Sequence, residues 1–260
     1  MSLPLYAQLL AHLLFAYTLF AEPWLGVRAY ADLRAAAARG DSGARLRFYR
    51  SILIIEWLWV LVIAALAAGL EDPVASLGLG APGGILGSRF GILFLAGAFA
   101  GMAAGAVVVR RDPAFAARQL EPIRDMVPAT AAERRVFAAV SVTAGICEEL
   151  LYRSFLFFYF TEIWALPLAA ALVLSSVIFG VAHAYQGIRG IFATGLVGLV
   201  FGGLYWASGS VWPGVVLHAL MDLRMLAVAR ALDEAGAPAS PRDPAVPEGS
   251  APVSDPADGT

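Results

Sequence analysis

Apolar runs the length of a membrane crossing, separated by short polar or Gly- and Pro-rich stretches, set the pattern of this chain. A helix rising 1.5 Å per residue needs about 20 apolar residues to cross a ~30 Å hydrocarbon core. Runs of that kind occupy 3–20, 52–70, 90–109, 136–160, 164–184, 188–206 and 211–231. They predict an all-α, polytopic transmembrane helix bundle of about seven spans, or eight if 110–135 adds a further or re-entrant helix. The stretch 71–88, with Asp72-Pro73 and Ala81-Pro82-Gly83-Gly84, reads as a loop. In the third run Gly97, Gly101 and Gly105 recur every four residues, a spacing that lets another helix approach closely. From Asp233 the pattern stops, and Pro238, Pro241, Pro244, Pro247, Pro252 and Pro256 punctuate a polar stretch. The expected organisation is a membrane-embedded domain over 1–232 and a disordered Pro-rich tail over 233–260.

Composition agrees with the pattern. The chain is 60% hydrophobic and 15% charged, with mean hydropathy +0.73, whereas soluble domains are about 45–50% apolar and about 25% charged. A net charge of −2 gives no case for a nucleic-acid partner. The single Cys147 rules out an internal disulfide and a Cys-based zinc cage. No basic residue precedes Arg28, so the first apolar run lacks the charged start of a secretory signal and reads as a retained span.

All 18 basic residues are Arg, and they are unevenly placed. The connections 28–50 and 110–135 hold six each, and 71–88 holds none. By the positive-inside rule both basic connections face the cytoplasm. Seven spans then put the N-terminus outside and the tail inside, in the inner membrane of a bacterium. Tyr152, Tyr185 and Trp57, Trp59, Trp164, Trp206 and Trp212 read as anchors at the membrane interface.

Within this apolar frame a few polar residues are out of place. Glu148, Glu149 and Arg153 lie inside the fourth run, where each charge costs about 2.5–3.5 kcal/mol near the bilayer centre. Function is the default explanation of such a cost. Glu149 and Arg153, four apart, share a helix face in the favourable acid-before-base order. Glu148 points about 100° away and has no partner on its own helix. Two further pairs at the same spacing follow: Phe179 with His183, and His218 with Asp222. Three such pairs on three apolar runs are expected to converge on a water-accessible pocket. A carboxyl group desolvated in such a pocket becomes a stronger base. With a His it would hold and deprotonate a water, and a second His would donate to the oxyanion that forms. Depth leaves one tension: Glu148 lies roughly 18 Å into its span at 1.5 Å per residue, while His183 sits near the cytoplasmic end of its own. His12, mid-span and with no partner visible in the sequence, reads as structural or pore-lining, and Cys147 as a small buried side chain.

Glu148-Glu149-x-x-x-Arg153, Phe179-x-x-x-His183 and His218-x-x-x-Asp222, in this order, resemble the motifs of the CAAX-protease and bacteriocin-processing family. Its members are glutamic intramembrane endopeptidases, among them the eukaryotic enzyme that trims prenylated CAAX proteins. The resemblance covers 136–231. It implies hydrolysis of a peptide bond in a membrane-inserted or lipid-linked protein substrate, with no cofactor. By position it implies Glu148 as general base, His183 as its partner in activating water, and His218 with residue 222 as the oxyanion site. Glu149, Arg153 and Phe179 would support them. One departure stands out: Asn is usual at the position of Asp222, and an ionised Asp has no hydrogen to donate.

Two other classes of function remain. Glu148, His183, His218 and Asp222 have the donor atoms for zinc, so a metalloprotease is one alternative, although no His-Glu-x-x-His helix is present. A non-catalytic immunity or scaffold protein that keeps the fold is the other. The residues do not choose among prenyl-type C-termini, leader peptides and C-terminal sorting helices as substrates.

Overall fold

The computed structural model describes residues 3–84, 86–89, 93, 96–98, 100, 101, 104, 107, 111, 112 and 120–234. Most of the third predicted span and the tail from 235 onward lie outside the described residues. Among those described, every regular element is a helix. We number them α1 (Leu5–Ala38), α2 (Ala44–Ala67), α3 (131–163), α4 (Leu168–Ala182), α5 (Gly187–Ser208) and α6 (Trp212–Glu234). Helix α1, α2, residues Ala184–Ser208 and residues Trp212–Arg230 are each long and apolar enough to cross a membrane, whereas α4 is shorter. The chain is a helical membrane protein.

Helix α3 is the axis of the bundle. It starts at a capping box in which Thr130 Oγ1 accepts from the Glu133 amide at 3.2 Å and Glu133 Oε2 accepts from the Thr130 amide at 2.9 Å. Every residue from Leu151 to Phe160 is buried, so this part is enclosed on all sides by other helices. Its regular α-helical stretch ends at Glu149, and π-helical turns follow at Leu150–Phe155 and Tyr159–Ile163. These wider turns re-aim the side chains that follow and occur often at functional sites.

Small residues let the other helices close on α3 and on each other. A Cβ at Gly145 of α3 would lie 2.8 Å from the Cβ and backbone nitrogen of Ala219 on α6, and one at Gly180 of α4 would lie 2.5 Å from the Ile191 carbonyl of α5. Gly145→Val is therefore expected to push α3 and α6 apart, at roughly 1–3 kcal/mol for overpacking. A lowered midpoint of thermal unfolding in detergent would register it; an unchanged midpoint would mean that the two helices do not pack this tightly. The close approach expected at Gly97 and Gly101 is not found. Nothing described comes within 4 Å of a Cβ built at either, and Gly105 lies outside the described residues.

The Arg-rich connection 28–50 is not a loop. Helix α1 runs through a π-helical turn at Tyr17–Ala21 and on to Ala38, 34 residues or about 50 Å in all. Only 39–43 turns the chain, so Arg45, Arg47 and Arg50 begin α2. Arg45 is buried, donating from Nε to the Asp125 carbonyl at 3.0 Å with Nη1 3.7 Å from Glu133, and Arg34 pairs with Asp125 at 3.5 Å. The turn between α1 and α2 and the segment leading into α3 thus meet at one end of the bundle. At the other end Leu77 accepts from Ser154 Oγ, and Gly78, Gly80 and Gly83 bond with residues 208–211 between α5 and α6.

Candidate active site

Glu149 is 1% exposed and is the hub of the charged groups. Its Oε1 accepts from Arg153 Nη1 and from His218 Nδ1, each at 2.9 Å. The pair at helical spacing is thus joined to a third group from α6. The Arg153 guanidinium lies 4.3 Å from the centre of the Phe179 ring, stacked as a cation on an aromatic face. That ring also stands edge-on to His183 at 4.7 Å and to His218 at 6.1 Å. Phe179 is therefore a wall shared by all three groups.

His183 is the residue that ends α4, and its Nδ1 lies 2.8 Å from the Phe179 carbonyl oxygen. A carbonyl only accepts, so Nδ1 carries the hydrogen and Nε2 is left toward Glu148. The Nε2–Oε2 distance is 4.0 Å. The same carboxylate oxygen is 3.8 Å from His218 Nε2, which in turn lies 3.9 Å from Asp222 Oδ2. Distances of 3.8–4.0 Å are too long for direct hydrogen bonds but leave room for a water bonded to both partners. Glu148 Oε2 has no hydrogen-bond partner among the described residues.

The tension over depth resolves through the length of α4. At 15 residues it rises only about 22 Å, less than a full crossing. Its end is therefore carried to Glu148 inside the bundle, and the chain turns through Ala184–Gln186 into α5.

Glu148, Phe179, His183, His218 and Asp222 line one cavity of about 610 Å³. Sequence reasoning missed two of its walls. Glu22 follows the π-helical turn of α1, and its Oε1 accepts from Tyr152 Oη at 2.6 Å. Glu56 of α2 is 3% exposed. Both line the cavity with Glu148, His183, His218 and Asp222. The signal for Glu56 was present, an acid in an apolar run without a helical partner. Glu22 lay beyond the predicted end of the first span. Tyr152 and Trp59 are buried and are not interface anchors, while Trp57, Trp164, Trp206 and Trp212 are exposed. His12 gains a partner, Tyr159 Oη at 2.8 Å from Nδ1. Cys147 is fully buried. Among the described residues no three His, Cys, Asp or Glu side chains are grouped to hold a metal ion.

Residues 131–224 match the family model described as type II CAAX prenyl endopeptidase Rce1-like. This segment is similar to that family. It contains all three motifs and runs from the first turn of α3 to the turn after Asp222 on α6. No curated protein and no solved structure matches the chain. The Rce1-like match implies a protease, and with the apolar helices it implies a protein substrate met in the lipid bilayer.

Proposed function

We propose that the protein is an intramembrane endopeptidase that hydrolyses a peptide bond of a membrane-inserted or lipid-linked protein, with Glu148 as general base. The observation that carries this reading is Glu148 Oε2, without a hydrogen-bond partner among the described residues, facing the Nε2 atoms of two histidines across water-sized gaps. The Rce1-like match over the same residues supports it.

A water between Glu148 and His183 would donate one hydrogen to the carboxylate and the other to His183 Nε2. Its remaining lone pairs would face the scissile carbonyl. Glu148 takes a proton as the water oxygen attacks the carbonyl carbon, and the carbonyl oxygen becomes an oxyanion. In its imidazolium form His218 donates from Nε2 to that oxyanion, its Nδ1–H held by Glu149. Collapse of the tetrahedral intermediate breaks the C–N bond, and Glu148 returns the proton to the departing amine. Asp222, ionised, serves as a counter-ion to His218 and not as a second donor, which leaves the oxyanion to the imidazolium. Arg153, stacked on Phe179, fixes Glu149 and through it His218.

The orientation we propose puts the end of the bundle where Arg34 and Arg45 meet Asp125 on the cytoplasmic face of a bacterial inner membrane. Substrates would be sought by mass spectrometry of membrane-protein termini in cells with and without the protein. New termini dependent on the wild type identify them; indistinguishable termini count against a protease. We propose further that the hydrolysis needs no metal. Cleavage of an identified substrate by purified protein should persist in excess chelator, whereas loss in chelator with recovery on adding zinc would favour the metalloprotease.

A further inference from the structure

Glu22 and Glu56 are not used by this chemistry, yet both are held in the cavity wall. Each has a carboxylate oxygen, Oε2, that is buried and lacks a hydrogen-bond partner among the described residues. Glu56 is 3% exposed on an apolar helix, and no described residue offers a hydrogen to that oxygen. A buried carboxylate left in this state is costly, and the cost is met by taking up a proton or by gaining a cationic partner. Glu22 is tethered by Tyr152, one turn beyond Glu148 on α3, and lines the same cavity as the reacting carboxylate.

The neighbouring wall is aromatic. Tyr17 and Trp59, three residues beyond Glu56 on α2, line the same cavity with ring centres 6.0 Å apart. Acid oxygens beside aromatic faces suit one kind of guest, a compact cation with N–H groups to donate. The balance of charge points the same way. Glu22, Glu56, Glu148 and Asp222 line the cavity against the guanidinium of Arg224 and the imidazolium of His218, and Arg153 is already taken by Glu149.

We propose that Glu22 and Glu56 form a specificity subsite that takes a lysine or arginine side chain of the substrate next to the bond to be cut. That the guest belongs to a substrate rests on the proteolytic reading, but binding of the cation does not. The side chain's N–H groups bond to the two orphan oxygens, and its stem lies against Trp59. The enzyme would thus select sequences with a basic residue at membrane depth, where one is expensive unless an acid receives it.

The test uses the full-length protein in detergent micelles with octylguanidinium as probe and octanol as its neutral control. Wild type should bind the probe, and Glu56→Gln and Glu22→Gln should each weaken it about tenfold or more, since each removes an ionic hydrogen bond. Glu56→Asp, which keeps the charge, should restore much of the binding, and Glu148→Gln should leave it nearly intact. A single-span peptide with one arginine should compete with the probe, and the same peptide with citrulline there should not. Equal binding by wild type and both Gln variants overturns the subsite, as does binding lost in Glu148→Gln alone. Failure of the arginine peptide to compete overturns the substrate assignment. If the probe and peptide bind as expected while no substrate is ever cleaved, the subsite stands and the proteolytic reading falls.

Discussion

Glu148→Gln protein should reach the membrane in normal amount, unfold at the wild-type temperature and cleave its substrate at least a hundredfold more slowly. Glutamine fills the same volume beside His183 and His218 but takes no proton from water. General base catalysis is worth about 10²–10⁴ in rate. Asp222 is not placed to replace Glu148, since its Oδ2 faces His218 Nε2 at 3.9 Å and not His183, and Glu22 is bonded to Tyr152. His183→Ala should lose a comparable factor, because its Nε2 holds the other side of the same water. The double variant should be little worse than either alone, as expected of residues that act as a unit. Initial rates on an identified substrate, with thermal unfolding as the control, decide the matter. Cleavage by Glu148→Gln at even a tenth of the wild-type rate would remove the carboxylate from the mechanism.

The neighbouring acid should behave differently. Glu149→Ala is expected to destabilise the folded protein by about 3–5 kcal/mol, the usual cost of breaking a buried ion pair from one side. Arg153, 1% exposed, would be left with the Gly198 carbonyl at 3.4 Å and the face of Phe179. Removing both charges at once, as Glu149→Leu with Arg153→Met, should recover most of the lost stability, since an apolar pair pays no desolvation. Activity should not return, because His218 Nδ1 has then lost its acceptor. Yield and the midpoint of thermal unfolding measure the first effect, and cleavage rate the second. If Glu149→Ala melts where Glu148→Gln does, the division of labour between these adjacent carboxylates is wrong.

This division is half legible in the linear chain. The spacing of Glu149 and Arg153 announces an ion pair on one helix face, because a turn of 3.6 residues brings i and i+4 together wherever the helix sits. The same rule marked His183 and His218 as residues with neighbours on their own helices. It did not say what those neighbours supply. Phe179 offers His183 its backbone carbonyl and offers Arg153 its ring. Asp222 stands 3.9 Å from His218, while the bonded partner of that histidine is Glu149 on another helix. The first span, expected to end at residue 20, continues as helix to Ala38, because a helix does not stop where its apolar run stops.

Amino-acid order alone determined that the chain crosses a membrane, since apolar length is a property of consecutive residues. It also determined which few ionisable residues need explaining and how they pair within a helix. Only the tertiary structure decided which of them meet. A fifteen-residue α4 ends beside Glu148, Gly145 and Gly180 let helices approach to backbone distance, and a π-helical turn precedes Glu22 where it joins the cavity. Helical periodicity fixes angles around one axis. The depth and rotation of one helix against another come from packing among residues far apart in the chain.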